Sequence, residues 1–222
     1  MMNTEQYLQL KTRVKRIIRI LKKILPNAAC HLTYQTPEQL LIATILSAQT
    51  RDERVNKATQ QIFAKYPTPR ELADADIKWL KQVIKPVGMN KTKSARIVDA
   101  SKKLILDFDG KVPSTMEQLL TIPGVGRKTA NLVLSEVFNQ PGIIVDTHLQ
   151  RVTARLGLVE FNLNPEKIEF RLNKIVDLSQ RAVFSHLIGD HGRQTCKARK
   201  PLCQECCLIE YCCRQRKLSD CQ

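Results

Sequence analysis

Two constellations in this 222-residue chain carry residue types that can do chemistry. The first is a set of thiols, Cys196, Cys203, Cys206 and Cys212, separated by six, two and five residues. Four thiolates at short, fixed spacings can surround one centre, and both zinc and a [4Fe–4S] cluster take such sets. Zinc ribbons usually show two close cysteine pairs with a longer span between them. Here the first gap is six and one close pair exists, which tilts the choice toward iron–sulfur. Cys207 and Cys213 each follow a proposed ligand directly, so the register of the set has alternatives. The second constellation is Pro123-Gly124-Val125-Gly126-Arg127-Lys128-Thr129. A proline with two glycines makes a tight turn and lets backbone N–H groups approach a bulky anion. A helix starting near Arg127 would add the positive end of its dipole, which favours a phosphate. Lys128 falls in the first turn of that helix. An ordinary turn with a solvated lysine also reads these residues, because glycine motifs have many false matches.

A third stretch follows the apolar run Ile143-Ile144-Val145. Asp146 stands there as the N-cap of a helix over 147–156, and capping alone explains an aspartate at that place. It does not explain His148 or Arg151 one turn on, though an exposed helix face would. Between the first two cysteines lie Lys197, Arg199 and Lys200, a basic loop fixed at both ends by candidate ligands. Such a loop can present charge to a polyanion or can be merely solvated.

The elements that must position these residues read as helices. Residues 4–25 form a basic amphipathic helix capped by Thr4 and ended by Pro26, with Leu8, Leu10, Val14, Ile17, Ile18, Leu21 and Leu25 on its apolar face. Packing on the body of the protein is favoured over a membrane-surface role, although surface helices look similar. Thr36-Pro37 opens a buried helix through Leu46. It ends abruptly at Ser47-Ala48-Gln49-Thr50-Arg51-Asp52, which is either a ligand-facing stretch or a corner capped by Asp52. Further helices are expected at about 52–65, 76–85 and 90–107, set off by Pro67, Pro69, Pro86, Gly88, Gly110 and Pro113. Pro86-Val87-Gly88-Met89 echoes the central turn, and Met89 there is an exposed apolar wedge or a gap filler. Leu119, Leu120 and Ile122 precede the Pro-Gly turn, giving helix, hairpin, helix. Helices at 165–176 and 179–190 complete an all-α chain of about ten helices with no convincing strand.

The chain carries 36 Lys+Arg against 21 Asp+Glu, a formal charge of +15. That excess argues for nucleic acid first and a membrane surface second. Aromatics at 5% make a base-stacking sheet of the RNA-binding type a poor fit. No apolar run approaches a spanning helix, and no signal-peptide pattern follows the basic N-terminus. The expectation is a cytoplasmic protein, nucleoid-associated if bacterial. Seven of the eight cysteines fall between Cys196 and Cys221. In a basic intracellular chain that clustering suggests a metal centre before disulfides.

Together these elements resemble the endonuclease III family of DNA repair glycosylases. The resemblance runs from about residue 5 to 215. It rests on Leu119–Leu134, Val145-Asp146-Thr147-His148, Leu46-Ser47-Ala48-Gln49, His191-Gly192-Arg193 and the cysteine spacing. It implies an all-α, two-lobed helix–hairpin–helix glycosylase fold. One lobe would be a six-helix barrel over about 29–139, with the helix–hairpin–helix at about 115–138. The other would be an iron–sulfur lobe joining 1–28 to 140–222. Duplex DNA is expected between them, and the chain is expected to be a monomer. On the same resemblance Lys128 falls on the nucleophile and Asp146 on the catalytic carboxylate. Gln49 falls on the residue that fills the gap left by an extruded base, and Met89 where a leucine wedge is common. DNA contacts would also involve Gly124, Val125, Gly126, Arg127, Thr129, His148, Lys197, Arg199 and Lys200. Cys196, Cys203, Cys206 and Cys212 would hold a [4Fe–4S] cluster.

The implied activity is bifunctional: release of oxidised pyrimidines, then strand cleavage at the abasic site. An attacking amine must be neutral. Neighbouring Arg127, the helix start and exclusion of water by bound DNA all favour the uncharged form. The alternatives are a glycosylase without lyase activity and a non-catalytic helix–hairpin–helix DNA-binding module. Lys128 argues against the first and against the adenine-glycosylase branch, which lacks that lysine. Asp146 argues against the second, since a mere binder needs no carboxylate near a phosphate groove.

Overall fold

Capping residues and prolines punctuate the chain, and the structure follows them closely. The computed structural model describes residues 4–213. In order, the α-helices are α1 (Thr4–Ile24), α2 (Pro37–Leu46), α3 (Asp52–Lys65), α4 (Pro69–Ala73), α5 (Ile77–Val83) and α6 (Asn90–Phe108). They continue with α7 (Met116–Leu120), α8 (Arg127–Phe138), α9 (Thr147–Arg155), α10 (Pro165–Ile175) and α11 (Arg181–Gln194). Every regular element among the described residues is helical, with short 3₁₀ turns between some of them. No helix among them is long and apolar enough to cross a membrane.

Thr36, Thr68, Asp76, Thr115, Asp146 and Asn164 each cap a helix by accepting a hydrogen bond from a backbone N–H in the first turn. Pro37, Pro69 and Pro165 occupy first-turn positions, where the missing N–H costs nothing. Three expectations need correction. Asp52 does not cap α3; it is the first helical residue, and Arg51 holds the cap position with no side-chain bond. The short α4 was not expected. Thr68 and Glu71 form a capping box that sustains it despite its five residues. Finally, α11 runs to Gln194 rather than 190, so His191, Gly192 and Arg193 are helical.

The chain divides into two units. One is His31–Gln140; the other joins Met1–Cys30 to Pro141–Gln222. In the first, α2 is central, packing on α6 and α8, while α4 and α5 pack on α6. Eight residues of α2, Gln39 through Leu46, are buried, which explains why its apolar residues surround the helix rather than form a stripe. Each buried leucine there stabilises the fold by roughly 1.5–3 kcal/mol.

In the second unit α1 packs on α10 and α11, and α9 lies against α11. Val14, Ile17, Ile18 and Leu21 of α1 are buried in one core with Leu149, Val152, Leu172, Phe184 and Leu187. The apolar face of α1 thus packs on protein, as expected, except that Leu8 is exposed. α9 and α11 approach closely at Gly192. A Cβ added there would stand 2.9 Å from His148 Cβ and 3.2 Å from Val152 Cγ2.

Candidate nucleic-acid interface and metal centre

The hairpin between α7 and α8 is built by one glycine and used by another. Gly124 sits at φ +84, in the left-handed region, and an added Cβ would meet Ile45 Cγ2 at 3.1 Å and Arg96 Cδ at 3.2 Å. Both conformation and packing therefore require glycine there. Gly126 is the N-cap of α8, with extended backbone at φ −110, no side-chain cap, and nothing within 4 Å of an added Cβ. No neighbour in the chain demands a glycine at 126. The open space lies where the first N–H groups of α8 have no intrahelical acceptor. Arg127 and Lys128 are exposed there. The Lys128 ammonium makes no hydrogen bond or ion pair among the described residues. Val125 and Thr129 are 9% exposed, so any contact they offer a ligand is through the main chain.

In the same unit, the corner after α2 and the turn before α6 each project one exposed side chain from a left-handed, non-glycine residue. Gln49 has φ 55 and Met89 has φ 46. Met89 is 49% exposed. Single residues in this region cost of order 1–3 kcal/mol and persist only where the surroundings impose them. A buried lysine links the two segments. Lys93, 1% exposed on α6, donates from Nζ to Ala48 O at 2.8 Å, Thr50 Oγ1 at 2.8 Å and Val87 O at 3.2 Å. Burial pushes this ammonium below its ordinary range, while three acceptors match its three N–H donors. A sequence signal existed: Lys93 is in register with Ile97, Ala100 and Leu104 on the buried face of α6.

In the other unit, Ile143, Ile144 and Val145 are buried and extended, and the Ile144 N–H donates to Ser185 Oγ at 3.0 Å. This segment delivers Asp146 to the start of α9. The Leu149 N–H donates to Asp146 Oδ1 at 2.6 Å. Asp146 Oδ2 has no hydrogen-bond partner among the described residues. His148 is half-buried. Its ring is pushed below the ordinary histidine range chiefly by burial, and its Nδ1 lies 3.2 Å from Arg151 Nη2.

Two arginines of α9 grip the cysteine segment. Arg151 donates from Nε to Cys196 O at 3.1 Å and from Nη2 to Gly192 O at 2.9 Å. Arg155 donates to Cys196 Sγ at 3.3 Å, Lys197 O at 2.8 Å and Ala198 O at 3.1 Å. Lys197, Arg199 and Lys200 are exposed, their loop held by those carbonyls. Cys196, Cys203, Cys206 and Cys212 are free thiols, as is Cys207. Cys213 is disulfide-bonded and stands outside that set; Cys221 lies outside the described residues. The Cys206 thiol is pushed up by burial, and also by the charges of Cys207, Cys196 and Cys212. Cys196 and Cys212 are therefore each within electrostatic reach of Cys206. Among the described residues, no three His, Cys, Asp or Glu side chains converge as one metal ion requires.

Residues 42–178 match the HhH-GPD superfamily of base excision DNA repair proteins. The chain is 48% identical to endonuclease III of Synechocystis sp. over 203 residues, covering 91% of this chain and 92% of that one. Against endonuclease III of Escherichia coli the identity is 36% over 202 residues, covering 91% and 95%. A solved structure of a trapped endonuclease III–DNA covalent intermediate superposes with a TM-score of 0.88 at 37% identity, covering 92% of this chain and 96% of that one. The chain belongs to the endonuclease III family.

Proposed function

We propose that this chain is a bifunctional base-excision DNA glycosylase and abasic-site lyase acting on oxidised pyrimidines in duplex DNA, with Lys128 as nucleophile and Asp146 as the assisting carboxylate. The observation that carries the residue assignment is an unpaired, exposed Lys128 at an uncapped helix start, the same end that favours a phosphate. A base inside the stack is out of reach, so the target must be flipped out at a cost of a few kcal/mol. Met89 is the apolar wedge and Gln49 fills the space that the base leaves. The N–H groups around Gly126 take a phosphate and set the register. Lys197, Arg199 and Lys200 add charge toward the backbone, and the formal charge of +15 makes binding salt-sensitive.

The neutral Lys128 amine attacks C1′, and the bond from C1′ to the base breaks, with the electron pair leaving on the base. The Asp146 carboxylate stabilises the positive charge that develops on the sugar and accepts a proton from the attacking amine. Opening of the sugar ring gives a Schiff base. Loss of a C2′ proton then expels the 3′ phosphate by β-elimination, and water releases Lys128. The four thiols suit a [4Fe–4S] cluster: the ligand set is all-sulfur, at spacings of six, two and five residues. Bound there, a cluster would tie residues 196–212 into a fixed loop. Cytoplasmic residence accords with this reading.

Borohydride reduction tests the assignment. The chain, incubated with duplex DNA containing thymine glycol or an abasic site and then reduced, should give a covalent protein–DNA band. Base release without a band would make it a monofunctional glycosylase. Binding with neither would leave a DNA-binding module.

The two hairpin glycines should separate experimentally. Gly124→Ala should lower stability by about 1–3 kcal/mol, because the added methyl is both strained and crowded. Gly126→Ala should cost less than about 1 kcal/mol. It should nevertheless weaken duplex binding roughly tenfold, the worth of one charged hydrogen bond. Denaturant titration and fluorescence anisotropy read the two effects. Equal affinity in Gly126→Ala would remove the phosphate from this turn.

A further inference from the structure

Lys93 is the buried titratable group that the chemistry above does not use. We propose that Lys93 is a positioning residue: its ammonium clamps the Gln49 corner to the Met89 turn and so sets the two side chains that enter the duplex during base extrusion. The proposal rests on the reading of Gln49 and Met89 given above.

The geometry is specific. Ala48 O immediately precedes Gln49, Thr50 Oγ1 immediately follows it, and Val87 O lies two residues before Met89. Thr50 Oγ1 in turn donates to Val87 O at 2.6 Å, closing the link between the two segments. The Lys93 N–H donates to Met89 O at 2.9 Å, so the same residue fixes the turn from its backbone as well. No carboxylate pairs with the ammonium among the described residues. A core position that needed only volume would be filled at lower cost by methionine or leucine, because burying a charge is expensive. What lysine supplies, and they cannot, is three N–H donors diverging from one atom to two segments about 40 residues apart in the chain. Both segments hold a non-glycine residue in the left-handed region, and both of those residues are exposed. Loss of the clamp leaves the Ala48 and Val87 carbonyls to share the single Thr50 hydroxyl proton and frees both residues to relax to commoner conformations. The side chains would remain on the surface but out of register.

The test compares a substrate that requires extrusion with one that does not. Lys93→Met keeps the volume and removes all three donors. In that variant, single-turnover release of thymine glycol from fully paired duplex should fall about 10- to 100-fold, the scale expected of a reacting group misplaced by an ångström. Borohydride trapping on an abasic site in a single strand, where no base is displaced and no gap opens, should stay within about threefold of the wild type. Parallel loss on both substrates would reduce Lys93 to a general structural role and overturn the proposal, as would unchanged release from duplex. Thr50→Val is the companion variant, since it touches a half-exposed corner and leaves the core intact. It should show the same split in smaller measure, and it decides the matter if Lys93→Met does not fold. No split in Thr50→Val counts against the clamp. A wild-type chain that traps on neither substrate overturns the underlying reading, and the clamp with it.

Discussion

Replacing Lys128 with glutamine is expected to abolish the covalent band and to slow base release by roughly 10⁴-fold or more, the usual consequence of deleting a nucleophile. Stability should stay within about 0.5 kcal/mol, because the side chain is exposed and makes no hydrogen bond or ion pair among the described residues. Its charge stands at the positive end of α8, so the helix gains if anything from its removal. Duplex binding should persist, since the phosphate is held by main-chain N–H groups. Trapping assays, single-turnover kinetics and a thermal melt check the three parts. Retained base release at the wild-type rate would assign the chemistry to another group.

Asp146→Asn is the second large effect, and its cap makes the experiment clean. Asp146 caps α9 through Oδ1, and an asparagine oxygen accepts the same bond from the Leu149 N–H. The helix start therefore survives, losing only the charge–dipole contribution of about 0.3–1 kcal/mol. What disappears is the negative charge on the oxygen that the cap leaves unused. Turnover should drop about 10²- to 10⁴-fold, the range of general base catalysis. DNA affinity should change little. Asp146→Ala, by contrast, removes cap and charge together and should cost about 1 kcal/mol of stability besides. If Asp146→Asn turned over normally, the residue would be a cap and nothing more.

The sequence made legible what depends on short-range grammar. Pro37, Asp146 and Asn164-Pro165 mark helix starts because caps and first-turn prolines act within a few residues. Gly124 and Gly126 marked the hairpin, but not their division of labour. One glycine is required by its backbone and its crowding, the other stands in open space, and that difference lies in the approach of Ile45 and Arg96. Asp52 misled because an aspartate suits both the cap and the first turn of a helix. Lys93 and Arg155 were missed, and Arg151 was noted without its partners, for another reason. Their long-range partners are mostly backbone carbonyls more than 40 residues away, and a backbone carbonyl carries no mark in the sequence. Polar groups satisfied by the main chain are the class that pattern reading misses. Here they support the elements on which the candidate chemistry depends.

The division of the chain also has a consequence for synthesis on the ribosome. His31–Gln140 is contiguous, so all of its helices can meet as they emerge. α1 leaves first but packs on α10 and α11, which are translated last in its unit. At a bacterial or eukaryotic elongation rate of about 5–20 residues per second, α1 waits on the order of ten to thirty seconds for its partners. Throughout that interval Val14, Ile17, Ile18 and Leu21 have no native surface to cover them. The lysines and arginines of α1 give such nascent segments like charge, which opposes their association.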